Sequence, residues 1–457
     1  MKTMGDYSGV RAIVVGLARS GVSAARLLAS RGAAVTVTDT RSEADLADFT
    51  GELPAGTRLA LGGHEGINPG DYGLAVTSPG VWWDSPLLTA LRGAGVPVIS
   101  EVELACRHLT GPVIAITGAN GKTTTTTLTG MMLKAGGIDV FVGGNIGDPL
   151  CGAVGQGHGW IVAEISSFQL EGIVSFRPRI SLVLNVTPDH LDRHKTMATY
   201  SALKARVFEN QKDGDVVILN AEDPLTASFK PHPSTRVLWF GRAAHGKPGA
   251  WTQGGMAVAD LGEGAIGLFR LDDLKVPGAH NVENALAAGL AALSAGVSPA
   301  AIGKTIRSFD GLPHRMEKVA VINGVTYIND SKGTNTDAAI KSLSAYEGNV
   351  VLIAGGSSKG ADFTALAKAV RQRAKGVALI GKTAPAIAEA LGDFAPKVMA
   401  KDMESAVRAA TDMAAPGDTV LLSPSCASFD MFRNYEHRGD VFREAVTAIG
   451  KGSVSWR

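Results

Sequence analysis

Short apolar runs alternate with helical patterns along nearly the whole chain. Arg11–Val15 (RAIVV) reads as a buried strand, followed by a glycine turn, a helix through SGVSAARLLASRG and a second strand at Ala34–Thr38. Leu74–Thr77 ends in the turn SPG, and Val96–Ile99 makes a further short strand before the first block closes near residues 100–105. A second series starts at Pro112–Ile116. It continues with strands at Trp160–Ala163, Leu182–Val186 and Val216–Leu219 and an alanine-rich helix at Val282–Leu293, while residues 243–265 read as hairpin or loop. After GLPHR at 311–315, a third series runs Val350–Ala354 into GGSSKG, Val377–Ile380 into GK and Val420–Leu422 into SPSCAS. Three β-α arrays predict an α/β protein with three mostly parallel sheets covered by helices, whose ligands bind at the carboxyl ends of strands.

Composition narrows this picture. The chain has 457 residues, about three domains at roughly 150 residues each. Hydrophobic residues at 45% and charged residues at 19% fit a globular protein with large cores. A net charge of +1, from 44 basic and 43 acidic side chains, gives no general affinity for nucleic acid or anionic membrane. Cys106, Cys151 and Cys426 share no metal or redox spacing and read as buried free thiols. The start MKTMGDYSGVRAIVVG lacks the apolar run and cleavage site of a signal peptide, and no apolar stretch reaches the roughly 18 residues of a membrane span. A cytoplasmic enzyme is expected.

The chemistry concentrates in VIAITGANGKTTTTTLTGMML. Strand, glycine turn and helix follow in the order a phosphate loop needs: backbone N–H groups turn toward phosphate oxygens, and the helix N-terminus adds partial positive charge. Lys122 is placed to reach terminal phosphates and Thr123 to offer a hydroxyl to Mg²⁺. The usual first glycine, five positions before Gly121, is replaced by Ile116, which separates this loop from motors and G proteins. Glu164 ends the apolar strand in WIVAEISSFQLE, where a carboxylate is either a Mg²⁺ ligand or a capping or salt-bridged Glu. His190 in NVTPDHLDRH leaves another strand beside Asp189 and Asp192, as a ligand or a structural histidine. Lys204 in YSALKARVFEN, read alone, is a surface lysine. The N-terminal VVGLARSGVSAA is close to a dinucleotide fingerprint, with Ala18 in place of the second glycine, Gly21 as the last, and Asp39 where a ribose-binding acid would lie.

TGANGKTTT, EISSFQLE, NVTPDHLDRH, LKARVFEN, PGAHNVENALAA, GLPHRME, NDSKGTN and LLSPSCASFDMFRNYEHRGDVF occur in this order, and together the chain resembles the Mur ligases over nearly its whole length. DTR, SPG, SSFQLE and SPSCASFD point to the D-glutamate-adding branch. The resemblance implies a Rossmann-like UDP-binding domain at 1–104, a central ATPase domain at 105–311 and a Rossmann-like amino-acid-binding domain at 312–457. It implies ATP-dependent addition of D-glutamate to UDP-N-acetylmuramoyl-L-alanine through an acyl phosphate, by a monomer acting in peptidoglycan synthesis. The third domain would then close over the nucleotide and keep water from the acyl phosphate.

By the same resemblance Lys122, Glu164, His190 and Lys204 carry catalysis. Thr123 and Glu164 hold one Mg²⁺; His190 and Lys204, as a carbamate, serve a second. ATP falls to Gly118, Ala119, Asn120, Gly121, Lys122, Thr123 and Thr124, with Asn281 near the adenine and Arg315, Asp330 and Lys332 near ribose and phosphates. The UDP-sugar falls to Leu17, Ala18, Asp39, Thr40, Arg41, Ser78 and Gly80, with Asn145, Ser166 and Gln169 at its sugar-peptide end. D-Glutamate falls to Thr334, Lys359, Ser428 and Tyr435. The chain departs from the family at Tyr435, where some members carry Phe, at Gly333, where Ala is common, and in GGSSKG, which lacks an acidic residue before the lysine. The competing readings are folylpolyglutamate synthase or a sibling Mur ligase, an NAD-dependent oxidoreductase, and a non-enzymatic nucleotide switch.

Overall fold

The structure is a computed structural model that describes residues 6–358 and 362–452. Three sheets carry the chain. The first joins β1 (Arg11–Val15), β2 (Ala34–Asp39), β3 (Arg58–Leu61), β4 (Leu74–Thr77) and β5 (Val98–Ser100) in the order β3-β2-β1-β4-β5, every pair parallel. Strand order reverses between β1 and β4, so the turns that leave these two strands flank a crevice.

The central sheet contains β6 (Val113–Thr117), β7 (Val140–Gly144), β8 (Trp160–Glu164), β9 (Ile180–Val183), β10 (Val216–Asn220), β11 (Arg236–Phe240), β12 (Gly249–Gln253), β13 (Met256–Asp260) and β14 (Ala265–Arg270). Its order is β14-β13-β12-β11-β10-β9-β6-β8-β7, with only the β12–β13–β14 ladders antiparallel. β6 is flanked by β8 on one side and β9 on the other, which is again the switch point. The third sheet contains β15 (Glu317–Ile322), β16 (Val325–Asn329), β17 (Val350–Gly355), β18 (Ala374–Ile380), β19 (Lys397–Met399) and β20 (Thr419–Leu422), ordered β15-β16-β20-β17-β18-β19. Its first hairpin, β15–β16, is antiparallel and the remaining pairs are parallel.

The residues pack as two compact units. One comprises 1–186, 193–273 and 283–307, and therefore holds the first two sheets; the other comprises 187–192, 274–282 and 308–457, with the third sheet. Inside the first unit one core is shared: Val14, Ile99 and Val102 from the first sheet and its last helix belong to the same cluster as Ala163, Ile165 and Leu170. Each such fully buried Val, Leu or Ile side chain contributes roughly 1.5–3 kcal/mol. Local signals start the helices that frame the sites. Ser100 caps the Glu101–Cys106 helix, and Ser166 and Gln169 form a reciprocal capping box on Ser167–Glu171.

The α/β reading with three mostly parallel sheets holds, and the differences are local. Leu182–Val186 is strand only as part of Ile180–Val183; Leu184 and Val186 are buried in the connection that follows, so apolar character there marks burial and not extension. Val96–Ile99 becomes Val98–Ser100, because Pro97 has no N–H to donate and serves the sheet only as an acceptor for Ala75. Residues 243–265 contain the β12–β13 hairpin and the start of β14. Cys151 and Cys426 are buried free thiols as expected, whereas Cys106 is half-buried. Among the described residues no helix is long and apolar enough to cross a membrane.

Candidate active site

The phosphate loop leaves β6 and enters the Lys122–Ala135 helix. Gly121 precedes that helix at φ 85, a left-handed conformation suited to glycine, and a Cβ on it would lie 2.2 Å from Asn284 Oδ1. No acidic residue occupies the first helical turn, which leaves its N–H groups and dipole available to an anion. The loop is pinned from the side. Asn185 Oδ1 accepts from the Asn120 N–H at 2.8 Å, its Nδ2 donates to Asn120 O at 3.0 Å, and its own carbonyl accepts from the Ala119 N–H at 3.0 Å. Five consecutive threonines are poor helix formers. Here Thr124, Thr125 and Thr126 are buried, and Thr129 donates back to the Thr125 carbonyl at 2.7 Å, so tertiary packing overrides propensity. Gly130 lets this helix approach β7: a Cβ there would be 2.4 Å from Val142 Cγ2.

Glu164 stands at the end of β8, in register with Ile116 of β6 and Gly144 of β7. Glu164 is 2% exposed, and among the described residues its carboxylate neither caps a helix nor forms a salt bridge. Oε2 accepts from Thr123 Oγ1 at 2.8 Å and Oε1 from Asn145 Nδ2 at 2.8 Å. A carboxylate and a hydroxyl converging on the loop form an oxygen donor set that fits a hard cation such as Mg²⁺. Among the described residues no cluster of three His, Cys, Asp or Glu side chains forms a metal site. Asn145, expected at the sugar-peptide end, orients this carboxylate. Ser166 and Gln169 cap the next helix, and among the described residues the buried Gln169 Nε2 has no partner, which leaves a donor for a ligand.

Lys122 Nζ donates to Gly118 O and Ala119 O, each at 2.9 Å. Lys204, which read alone looks like a surface residue, is 1% exposed: helix position says nothing about what packs over it. Its Nζ donates to the same Gly118 carbonyl at 2.8 Å and lies 4.5 Å from the Tyr200 ring centroid. His190, in the second unit, has φ 53 and a half-exposed ring 3.6 Å from Asp189.

In the first sheet Leu17, Ala18, Asp39, Thr40, Arg41, Ser78 and Gly80 line one cavity of about 790 Å³. Asp39 is not presented to it as a free acid. Its carboxylate accepts from the Leu17 N–H at 2.7 Å, the Arg41 N–H at 2.9 Å and the Arg41 guanidinium at 2.8 and 3.0 Å. Burial pulls its pKa up, but the Arg41 and Leu17 hydrogen bonds outweigh that and hold it below the usual carboxylate range. The NAD reading needs this carboxylate for a ribose and loses it.

In the second unit Asp330 follows β16 and is buried. Its Oδ2 accepts from Ser342 Oγ at 2.6 Å and Ser423 Oγ at 2.8 Å. Burial lifts its pKa to about 6, against those hydroxyls and the Arg315 charge. Lys332 Nζ sits 3.6 Å from the Tyr435 ring centroid, which joins an expected nucleotide residue to an expected D-glutamate residue. Arg438, fully buried, donates to Ser331 O and Cys426 O and so ties the Asp330–Lys332 turn to the turn that holds Ser428. The Thr334 N–H donates to Lys332 O at 2.8 Å, keeping that residue in the same turn. Lys359 lies outside the described residues. Asn281 donates to Pro277 O at 2.7 Å; the residue at the phosphate loop is Asn284, one helical turn later. Asn284 and Asn185 both escaped the sequence reading, although each lies inside a quoted motif.

Three family models match the chain in order. Residues 10–100 match a model described as Mur ligase MurD-like, N-terminal domain; 116–292 match the Mur ligase middle domain; 314–426 match the Mur ligase, glutamate ligase domain. The chain is 47% identical to a UDP-N-acetylmuramoylalanine–D-glutamate ligase of Pelotomaculum thermopropionicum, across 98% of this chain and 99% of that protein. It is 46% identical to the protein of that name from Solibacter usitatus, across 96% and 98%. Its fold is similar to a pseudomurein peptide ligase type C from Methanothermus fervidus, with a TM-score of 0.62 at 20% identity over 96% of this chain and 100% of that one. With all three regions matched in order and such relatives matched end to end, the chain belongs to the Mur ligase family.

Proposed function

We propose that the chain joins D-glutamate to UDP-N-acetylmuramoyl-L-alanine at the expense of ATP, through an acyl phosphate, in peptidoglycan precursor synthesis. Mur ligases use ATP and Mg²⁺. The observation that carries the reading is the meeting of Lys122, Thr123 and Glu164 at the switch point of the central sheet. Phosphoryl transfer to a carboxylate brings negative charges together, and catalysis of that step is mostly positioning and charge neutralisation. Lys122 supplies one cation. Thr123 and Glu164 would hold Mg²⁺, which when bound neutralises phosphate charge. The loop N–H groups orient the polyphosphate. The pocket beside β1 and β4 takes the UDP end of the acceptor, and the Lys332–Tyr435 cluster takes part of the nucleotide and D-glutamate. The domain limits 1–104, 105–311 and 312–457 belong to this proposal; among the described residues no strand crosses them, although the first falls within the Glu101–Cys106 helix. So do a cytoplasmic location and a monomeric state, without nucleic-acid or membrane partners.

A second metal site with His190 and a carbamate on Lys204 is also part of it. Two amines, Lys122 and Lys204, donate to one buried carbonyl, and a carbamate would replace one of these cations by an anion. Lys204→Ala should abolish measurable turnover, with partial rescue by short carboxylic acids; undiminished activity removes the carbamate. The reaction itself is tested by phosphate release with UDP-N-acetylmuramoyl-L-alanine, ATP and Mg²⁺ in the presence of D-Glu, L-Glu, L-Lys or diaminopimelate. Release with D-Glu alone supports the proposal. Release with L-Glu on a folate acceptor replaces it.

A further inference from the structure

The cavity beside β1 and β4 has an aromatic wall that the expected ligand residues do not include. Trp82 lines it in the segment SPGVWWDSP and is 41% exposed. An indole left wet in a concave site is apolar area for a ligand to cover.

Its backbone is held firmly. Arg193, only 8% exposed at its side chain, donates to Pro79 O and Val81 O, each at 2.9 Å. The same guanidinium lies 4.0 Å from the Phe168 ring centroid and pairs with Glu171, so the turn is tied to the helix that follows Glu164. The turn also packs on the glycine bend after β1, where a Cβ at Gly16 would be 2.8 Å from Val81 Cγ2. Lys195 places its ammonium 5.3 Å from the Trp82 ring centroid. Its backbone is left-handed, at φ 66, a conformation lysine seldom adopts and one that persists only where the surroundings enforce it.

We propose that Trp82 is the stacking surface for the uracil ring of the nucleotide-sugar substrate, with Lys195 as the cation that faces its diphosphate. This rests on the reading of the cavity as the UDP pocket. A pyrimidine presents a π-face to an indole whatever its hydrogen bonds. The diphosphate then meets Lys195 and the N-terminus of the Arg19–Ser30 helix, whose first turn carries no acidic residue. Neither Trp82 nor Lys195 reacts; they set affinity for the nucleotide end.

Titration calorimetry with UDP alone tests this on the full chain. Trp82→Ala should weaken UDP binding about tenfold, or about 1.4 kcal/mol, and Trp82→Phe should restore most of it. Lys195→Met should weaken it several-fold and flatten its salt dependence. In turnover, Trp82→Ala should raise the KM for UDP-N-acetylmuramoyl-L-alanine about tenfold and leave the KM for ATP within about twofold, which also reports an intact fold. UDP binding to Trp82→Ala within twofold of wild type overturns the stacking role. Absence of UDP binding to the wild-type chain overturns the pocket reading, and the stacking role with it.

Discussion

Gly333 carries weight through the atom it lacks. A Cβ there would lie 2.7 Å from Asp330 Oδ2 and 2.8 Å from Ser423 Oγ, so an alanine must push the carboxylate off its serine partners. Gly333→Ala should raise the KM for ATP several-fold and cost roughly 1–2 kcal/mol of stability; steady-state kinetics and urea midpoints read both, and unchanged values would show that Asp330 moves freely. The resemblance sets an expected alanine against Gly333, and the sequence shows only that something differs. The place of Glu164 at the end of an apolar strand was legible; the choice between a cation ligand and a structural carboxylate was not, because it turns on Thr123 and Asn145, 41 and 19 residues away. Lys204 was not legible from its own helix: Tyr200 lies one turn before it, but the Gly118 carbonyl that accepts from its Nζ comes from 86 residues away and is delivered by the fold.

The phosphate loop is the element on which the rest depends, and its stiffness comes from outside it. Asn185, two residues after β9, makes two side-chain hydrogen bonds to Asn120. Asn185→Ala removes both and leaves the Asn120 N–H without that acceptor. ATP should then bind about tenfold more weakly, from about 1–1.5 kcal/mol of lost hydrogen bonding, with less loss in the KM for the UDP-sugar; equal losses for both substrates would indicate a general folding defect. Strand-loop-helix order was legible here because Gly-Lys-Thr follows a five-residue apolar run. Weaker elements were not: β7 ends in two glycines, and β19 exposes all three residues, so neither shows a hydrophobic period. Strand limits also slipped where buried connections are as apolar as strands, as at Leu184 and Val186.

At the scale of the first compact unit, Glu101 joins the first sheet to the central one. Its Oε1 accepts from the Cys151 N–H at 2.6 Å, while Oε2 is buried with no partner among the described residues. Burial raises its pKa to about 7 from an ordinary 4.5, despite the opposing hydrogen bonds from Cys151. The folded chain therefore holds a proton that the unfolded chain has released between those values, and the associated stability is lost as pH rises through about 7. Between pH 5 and 8 the wild type should lose roughly 2–3 kcal/mol more than Glu101→Gln; parallel urea midpoints for the two across that range would show that the carboxyl is not buried as a neutral acid. Apolar periodicity and glycine turns by themselves determined three β-α series, the phosphate loop and the strand-end placement of Glu164, because these follow from local sterics and from which residues avoid water. Only the tertiary structure decided that Lys204 is buried, that the Leu17 N–H closes on Asp39, that Asn284 closes on Gly121 and that Trp82 lines the pocket. Each of those facts joins residues far apart in the chain, and their contact exists only once the sheets and helices have packed.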